Sequence, residues 1–393
     1  MRNALSARSA TRTMRIVLAS EPTGGGVGRH VLDLAEGLPR RGFRVLLVHA
    51  RHGVDRGFST RMERNAQYGY ETASIDVRRA PGRHDLGATL ALRQAIRRFG
   101  GADVLHGHSS KAGALARLAR WLRARRVVYT PNGWYTQNPE LSRTSRRAYQ
   151  IIERTLAIVT DRIIAVSSDE AEHAVGLGIA AHKLEVIENG IEPWAPERVA
   201  RARADTRARL GIAPDDMVVG FLGRLAPQKA PEVAVRTLKL LLDARPSVRV
   251  VFAGDGPEGE RVDVLLQELG LGDRLIRLPE ANGPEVIPAF DVFLMTSRYE
   301  GFPYVLLEAL AAGCAIVTTR VGGVRDCVLD GVNGHVVDTL DPYAIAERAI
   351  AITGDADLLG RMRAQARARA ANFSIDRMID RTADLYRSLH EAS

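Results

Sequence analysis

Short apolar runs alternate with helix-like segments along this chain, and this alternation constrains its fold more than any other feature. Arg15-Ile-Val-Leu-Ala19 has the composition of a buried strand, residues 30–41 form a helix-like segment, and Phe43-Arg-Val-Leu-Leu-Val48 is a second strand candidate. A strand, a helix and a second strand in this order form a βαβ unit, whose two strands run parallel. The sequence therefore predicts an α/β fold built on parallel sheets.

The alternation continues and then starts again in the second half. Strand candidates cover residues 104–105, 127–129, 162–166 and 184–187, with helix-like segments over 111–123 and 144–159; after residue 193 they cover 218–222, 248–252, 275–277, 292–295 and 315–318. A chain of 393 residues exceeds one ordinary core. We therefore predict two doubly wound Rossmann-like domains, over 14–192 and 193–372. Residues 1–13 are expected to be a disordered tail, or to reflect an upstream start with the natural one at Met14, and a C-terminal helix over 373–393 packs back on the N-terminal domain.

Composition excludes several classes of protein. No run of 18 apolar residues is present, so no transmembrane helix is expected, and no signal-peptide segment precedes the first strand. The two cysteines, Cys314 and Cys327, frame neither a metal motif nor a disulfide scaffold, which is typical of a protein in a reducing cytosol.

Charge is divided unevenly between the two halves. Residues 1–190 hold 30 basic and 17 acidic side chains, whereas the remainder holds 25 and 29. A basic first half favours an anionic partner, either nucleic acid or anionic lipid. The alternative is a merely arginine-rich surface, since the chain has 51 Arg and 4 Lys.

The glycine-rich segment Thr23-Gly-Gly-Gly-Val-Gly28 follows the first strand and suggests a ligand-binding loop. A dinucleotide fingerprint needs a third glycine where this chain has Arg29, and an acid where the second strand ends in His49-Ala50. A hydride-transfer enzyme is therefore disfavoured. The loop still allows close approach of a ligand to the backbone, although a tight βα turn explains the glycines equally well.

Three motifs mark the ends of predicted strands in the second half. Gly223-Arg224 is followed by Lys229, which places two cations suited to phosphate at one strand end. Gly254-Asp-Gly256 follows the next strand. Glu300 and Glu308 bracket an apolar segment at a strand–helix junction, and the carboxyl ends of strands are where open α/β sheets bind ligands.

In this order and spacing, the motifs resemble those of retaining glycosyltransferases of family 4, over roughly residues 14 to 390. The resemblance implies a GT-B architecture, with two Rossmann-like domains facing across a cleft and a C-terminal helix crossing back to the first. The segment Glu300-Gly-Phe-Pro-Tyr-Val-Leu-Leu-Glu308 is similar to members acting in bacterial exopolysaccharide or lipopolysaccharide synthesis.

The resemblance also implies roles for individual residues. Arg224 and Lys229 would neutralise the departing diphosphate, Glu300 would contact the sugar, and Glu308 would hold the ribose. His108 would be catalytic. Further donor contacts are expected at Gly25, Gly26, Gly28, Gly223, Gly254, Gly256, Gly301, Phe302 and Tyr304, and acceptor-side contacts at His106, Lys111 and Asn132. No cofactor is expected, and no metal, because the cation pair replaces it and the lone Asp355-Ala-Asp357 is typical of a helix cap.

The acceptor is expected to be a lipid-linked saccharide. Basic and aromatic residues predict contact with an anionic membrane, and hence a cytoplasmic protein peripheral on the inner face of the cell membrane. They are Arg117, Arg120, Trp121, Leu122, Arg123, Arg125, Arg126, Trp134, Tyr135, Arg143, Arg146 and Arg147. A soluble enzyme with arginine-rich helices remains an alternative. A sugar-nucleotide epimerase of the same architecture and, less favoured, a nucleic-acid-binding protein also remain. The base (UDP or GDP) and the sugar stay open.

Overall fold

The structure is a computed structural model that describes residues 13–78, 82–122 and 124–391, with only the backbone at 121 and 122. The strands are β1 Arg15–Ser20, β2 Arg44–Ala50, β3 Tyr70–Ile75, β4 Ala102–His108, β5 Ala124–Thr130, β6 Arg162–Ala165, β7 Leu184–Val186, β8 Val218–Leu222, β9 Arg249–Ala253, β10 Ile276–Leu278, β11 Val292–Met295, β12 Ala315–Thr319 and β13 Gly334–Val337. The helices are α1 Gly25–Gly37, α2 Arg56–Met62, α3 Asn65–Tyr68, α4 His84–Arg98, α5 Ser109–Leu118, α6 Arg143–Ile158, α7 Ser168–Gly176, α8 Pro196–Arg209, α9 Pro231–Ala244, α10 Gly259–Glu268, α11 Gly283–Val286, α12 Tyr304–Ala312, α13 Val324–Cys327, α14 Pro342–Gly354, α15 Ala356–Ala370 and α16 Ile375–Glu391.

Two open sheets carry the strands. The first has the order β3-β2-β1-β4-β5-β6-β7 and the second the order β10-β9-β8-β11-β12-β13. β1 pairs in parallel with β2 and β4, and β8 pairs in parallel with β9 and β11. The strand order reverses between β1 and β4 in the first sheet and between β8 and β11 in the second. Such a reversal creates a ligand crevice at the carboxyl ends of the strands. The predicted α/β class with two doubly wound sheets is confirmed.

By its internal contacts the chain forms two compact units. The first comprises residues 1–131, 155–163 and 379–393, and the second comprises 132–154 and 164–378. In the first unit, side chains of β1, β2 and β4 pack with those of α4 and α5, around Val17, Leu46 and Leu105. In the second, apolar clusters fill both faces of the sheet, one around Phe293 and Leu307 and the other around Phe221 and Leu238.

The last helix, α16, contributes to the core of the first unit. Ile379 lies directly against Gly37 of α1, Tyr386 is fully buried beside Phe43, and Arg41 pairs with Asp380 at 2.8 Å. This part of α16 thus packs on α1 and, through Tyr386 and His106, on β4.

Several predicted boundaries differ from the structure. Helix α1 starts at Gly25, five residues before the predicted start, because the glycines suggested a loop; Gly25 itself adopts a left-handed φ of +62°, which glycine tolerates. β3 was not predicted, since half of its residues are exposed and it lacks a continuous apolar run. Helix α8 begins at Pro196, shortly after the predicted domain boundary between residues 192 and 193. Asp355 does cap a helix, accepting from the Leu358 amide at 2.9 Å, as predicted.

Candidate functional site

The carboxyl end of β8 presents the predicted cation pair. The strand ends at Leu222, and Gly223 and Arg224 follow it into a turn that leads to Lys229. Arg224 is exposed and has no ion pair within the part of the chain that the structure describes. Its guanidinium is therefore available to an anion at this edge of the second sheet.

Lys229 and Glu300, both predicted as catalytic, lie together. The Lys229 ammonium pairs with Glu300 Oε1, and the same oxygen accepts from Ser297 Oγ at 2.7 Å. Gln228 Nε2 donates to Glu300 Oε2 at 3.3 Å, and Glu300 is only 8% exposed. The carboxylate that follows β11 is thus held by donors from the β8 turn and from its own loop, which places a preorganised polar group at the strand edge.

Helix α12 carries the second carboxylate of the motif. Glu308 is buried, and its carboxylate lies where a side chain at Gly283, the first residue of α11, would have to stand. Tyr304 begins α12 and is also buried. Phe302 was predicted to contact the donor, but its side chain packs in the core with its ring 5.6 Å from that of Phe373. Only the backbone of Phe302 remains for a ligand.

Gly254 and Gly256 bring two loops of the second sheet into contact. A Cβ atom on Gly254 would overlap the carbonyl oxygen of Gly223, and one on Gly256 would overlap that of Leu225. Both glycines therefore serve close packing of the β9 loop on the β8 loop. Gly223 differs, because a Cβ there meets nothing closer than 3.6 Å.

The backbone around Gly301 is enclosed by other parts of the second unit. Gly133 and Glu170 lie on one side, since a Cβ on Gly301 would stand 2.7 Å from Glu170 Oε1 and from the Gly133 nitrogen. Asn189 Nδ2 donates to the Phe302 carbonyl at 3.0 Å. The predicted acceptor-side Asn132 precedes Gly133 and has φ +54°, so it stands in the turn beside the predicted donor loop.

In the first unit, the glycine-rich segment forms the start of α1. Gly24 precedes the helix, and Gly25 and Gly26 occupy its first turn. Gly28 was predicted to contact the donor, but it is buried, and a Cβ there would overlap the Thr23 carbonyl oxygen. Gly28 therefore allows close packing of the helix, whereas Gly25 has open space around its Cβ position.

The predicted catalytic His108 lies in a cluster of buried histidines. Its ring centroid is 4.0 Å from that of His106 and 5.2 Å from that of His30. Neither ring nitrogen of His108 has a hydrogen-bond partner within the described residues. Burial, together with the neighbouring histidines, holds the pKa of His108 well below its usual value. At neutral pH the ring is uncharged and can donate one hydrogen bond and accept another.

His106 has a different environment, although it was predicted as acceptor-side. Its Nδ1 lies 2.5 Å from Tyr386 Oη and its Nε2 lies 2.7 Å from Thr130 Oγ1. Both nitrogens are thus engaged within the protein, and the residue supports the cluster. Lys111, also predicted as acceptor-side, pairs with Asp85 of α4 at 2.5 Å.

The predicted membrane-facing cluster is divided, because two of its members are buried whereas Arg125, Tyr135, Arg143 and Arg147 are exposed. Arg117 is fully buried, with its guanidinium 3.9 Å above the Tyr129 ring. Arg120 and Arg126 pair with Asp161, at 3.0 and 3.2 Å. Arg123 and the side chains of Trp121 and Leu122 lie outside the described part. Trp134 is buried too, and its indole donates to the Glu170 carbonyl at 3.1 Å.

Glu170 is a site residue that sequence reasoning missed. It is fully buried on α7, and its carboxylate accepts from the amides of Gly133 and Val166. Burial raises its pKa to about 7. The sequence contains a signal for it, because Ser167-x-x-Glu170 has the pattern of a helix start, and Ser167 does cap α7.

Comparisons with known proteins agree with this geometry. Residues 24–194 match the model of Glycosyltransferase Family 4, and residues 202–369 match that of Glycosyl transferases group 1. A D-inositol 3-phosphate glycosyltransferase of Streptomyces griseus is 32% identical over 74% of this chain and 68% of its own length. One from Nocardia farcinica is 31% identical over 91% and 84%. The crystal structure of Anabaena Alr3699/HepE in complex with UDP and glucose superposes with a TM-score of 0.79 at 22% identity, over 95% of this chain and all of that one.

Two parallel sheets of this kind, with polar groups gathered at the strand ends, define a protein of the GT-B fold. The chain belongs to the family 4 glycosyltransferases, also described as glycosyl transferases group 1, and it is a glycosyltransferase.

Proposed function

We propose that this protein transfers a hexose from a UDP-sugar to a hydroxyl group of its acceptor, with retention of configuration and without a metal ion. The observation that carries the proposal is the edge of β8 and β11, where exposed Arg224 stands on the same strand-end turn as the Lys229–Glu300 pair. Cations there suit a diphosphate, and the carboxylate suits sugar hydroxyls. UDP is favoured over GDP because the structural neighbour from Anabaena was solved with UDP and glucose.

The chemistry follows from charge development at the leaving group. As the bond from the anomeric carbon to the diphosphate oxygen breaks, negative charge grows on the diphosphate, and Arg224 and Lys229 stabilise it. The acceptor oxygen attacks from the same face, and its proton passes to the departing phosphate oxygen. Neutral, buried His108 offers a hydrogen bond to a substrate hydroxyl. Burying an imidazole without hydrogen-bond partners is unfavourable, and a bound substrate would supply a partner.

Product analysis tests this chemistry. The protein is incubated with UDP-glucose, UDP-galactose, UDP-N-acetylglucosamine or GDP-mannose, with and without a chelator, and the released nucleotide is measured. We expect UDP release that the chelator leaves unchanged, and an α-configured product by NMR. An inverted product, or activity that requires a divalent ion, contradicts the proposal.

The acceptor is proposed to be a lipid-linked saccharide at a membrane surface. Support comes from α6, where Ile151 and Ile158 are 66% and 75% exposed and Arg147 and Arg154 are exposed as well. Apolar side chains flanked by arginines suit an anionic lipid surface. No helix in the described residues is long and apolar enough to span a bilayer.

Liposome sedimentation tests the membrane contact. The native protein should sediment with anionic vesicles more than with neutral ones, and Ile151→Asp should weaken this. Val264→Asp is the matched control, because Val264 is an exposed apolar residue on α10. Equal binding to both vesicle types contradicts the membrane contact.

A second acceptor class is a polyol phosphate, which the names of the relatives favour, since both are called D-inositol 3-phosphate glycosyltransferases. UDP release stimulated by inositol 3-phosphate in the absence of lipid would select this class. Stimulation by a lipid extract alone would select the lipid-linked acceptor.

A further inference from the structure

The turn formed by Asn132 and Gly133 is strained and closely packed. Asn132 has φ +54° and Gly133 has φ +104°, and left-handed backbone at a non-glycine residue persists only where its surroundings hold it. The Gly301 nitrogen would lie 3.7 Å from a Cβ on Gly133. This turn therefore rests on the backbone next to Glu300.

Glu170 holds the turn in place. Its Oε1 accepts from the Gly133 amide and its Oε2 from the Val166 amide at 2.9 Å. The peptide carbonyl of Glu170 accepts from the Trp134 indole. One residue of α7 thus contacts the strained turn through both its side chain and its backbone.

The carboxylate is buried without a compensating cation. Within the described residues Glu170 has no ion pair, and a charged group in such a site is unfavourable. A glutamine at this position would keep nearly the same shape without the charge. Glutamine could accept only one of the two backbone amides, because its side-chain nitrogen is a donor, so only a carboxylate holds both Gly133 and Val166.

The same turn of α7 contacts another loop of the second sheet. Asp169 accepts from the Gly323 amide at 2.9 Å, and the Ser168 amide donates to Asp326 at 2.9 Å. A Cβ on Gly323 would lie 3.0 Å from the Gly301 carbonyl oxygen. The Gly301 backbone therefore lies between Gly133 and Gly323, whose amides donate to Glu170 and Asp169 of α7.

We propose that Glu170 is a positioning residue for sugar transfer. Its carboxylate fixes the Asn132–Gly133 turn against Gly301, and so sets where the acceptor hydroxyl lies relative to the sugar contacted by Glu300. The inference rests on the proposed function, since it takes Glu300 as the sugar contact and Asn132 as acceptor-side. A displacement of about 1 Å at such a turn is enough to lower transfer strongly.

The ionised form of Glu170 is the one that accepts both amides. Transfer should therefore increase as pH rises through about 7. The titratable and charged groups on the elements around Glu170 are Asp169, Glu172 and His173 on α7, Glu300 on the β11 loop, and Arg325 and Asp326 on α13. The glutamine variant separates the contribution of Glu170 from theirs, because it leaves all of them in place.

The experiment compares Glu170→Gln and Glu170→Asp with the native protein and with Glu153→Gln, a control at another buried glutamate. Transfer kinetics are measured against pH, UDP affinity by calorimetry, and hydrogen exchange over residues 132–137 by mass spectrometry. In Glu170→Gln we expect kcat/KM for the acceptor to fall about 10- to 100-fold, UDP affinity to change less than about twofold, and the rise through neutral pH to disappear. Exchange over residues 132–137 should accelerate.

The outcomes distinguish this inference from the proposed function. A native protein that transfers sugar, with Glu170→Gln matching its acceptor kinetics and pH profile, overturns the positioning role even if that variant melts earlier. Failure of the native protein to bind UDP or release it from UDP-sugars overturns the proposed function. In that case unchanged exchange over residues 132–137 in Glu170→Gln independently overturns the role of Glu170 in holding the turn.

Discussion

The buried carboxylate of Glu170 makes the stability of this protein depend on pH in a defined direction. Its pKa rises from 4.5 to about 7 on folding, chiefly because burial disfavours the charged form. A raised folded-state pKa contributes stability that is fully present below the unfolded value and is lost as pH increases through the folded one. As pH rises from about 5 to 8, this single group should therefore lower the free energy of unfolding by roughly 2 to 3 kcal/mol. A tenfold change in proton affinity corresponds to about 1.4 kcal/mol.

Denaturant unfolding of the native protein and Glu170→Gln, at both pH values, isolates this contribution. Asp33 and Asp169 also have pKa values raised by burial and change stability in the same direction, but they do so in both proteins. The difference in free energy of unfolding between native protein and variant should shift by about 2 to 3 kcal/mol in favour of the variant as pH rises. Parallel pH dependences for the two proteins would show that Glu170 does not change protonation on folding in this pH range.

Two further pairs of substitutions have outcomes that the structure specifies. Gly223→Ala should leave the melting temperature unchanged, since the added methyl meets only ordinary contacts, but weaken UDP binding about 10-fold by obstructing a phosphate. Gly254→Ala should instead lower the melting temperature, because its methyl overlaps the Gly223 carbonyl at φ +119°. Asp291→Ala should lower the free energy of unfolding by about 3 to 5 kcal/mol, since it leaves buried Arg207 without its carboxylate partner at 2.8 Å. Asp205→Ala, at an exposed pair, should cost less than about 1 kcal/mol, and denaturant unfolding compares the two.

Much of the fold could be predicted because buried parallel strands have continuous apolar runs. β8 and β11 were located to the residue for this reason. β3 was missed because half of its residues are exposed and it has no continuous apolar run, and the start of α1 was placed late because glycines suggested a loop.

The environments of individual side chains could not be predicted from composition. Arg117 was assigned to the surface because arginine is mostly exposed in proteins, yet it is buried over the Tyr129 ring. Trp134 was assigned there because tryptophan is common at membrane interfaces, yet its indole reaches a carbonyl in the interior. In both cases the buried side chain contacts a partner more than ten positions away in the sequence.

Calorimetry without metal, on the native protein and on Glu308→Ala, directly tests whether Glu308 binds the ribose of a UDP-sugar donor. The panel is UDP, GDP, ADP and NAD, with Glu347→Ala as a control at an exposed glutamate of α14. We expect UDP binding to weaken about 10-fold or more in Glu308→Ala, because a charge-assisted hydrogen bond to the ribose is lost, and to be unchanged in Glu347→Ala. Binding of NAD alone, of no nucleotide, or of UDP with equal affinity in all three proteins would contradict this expectation.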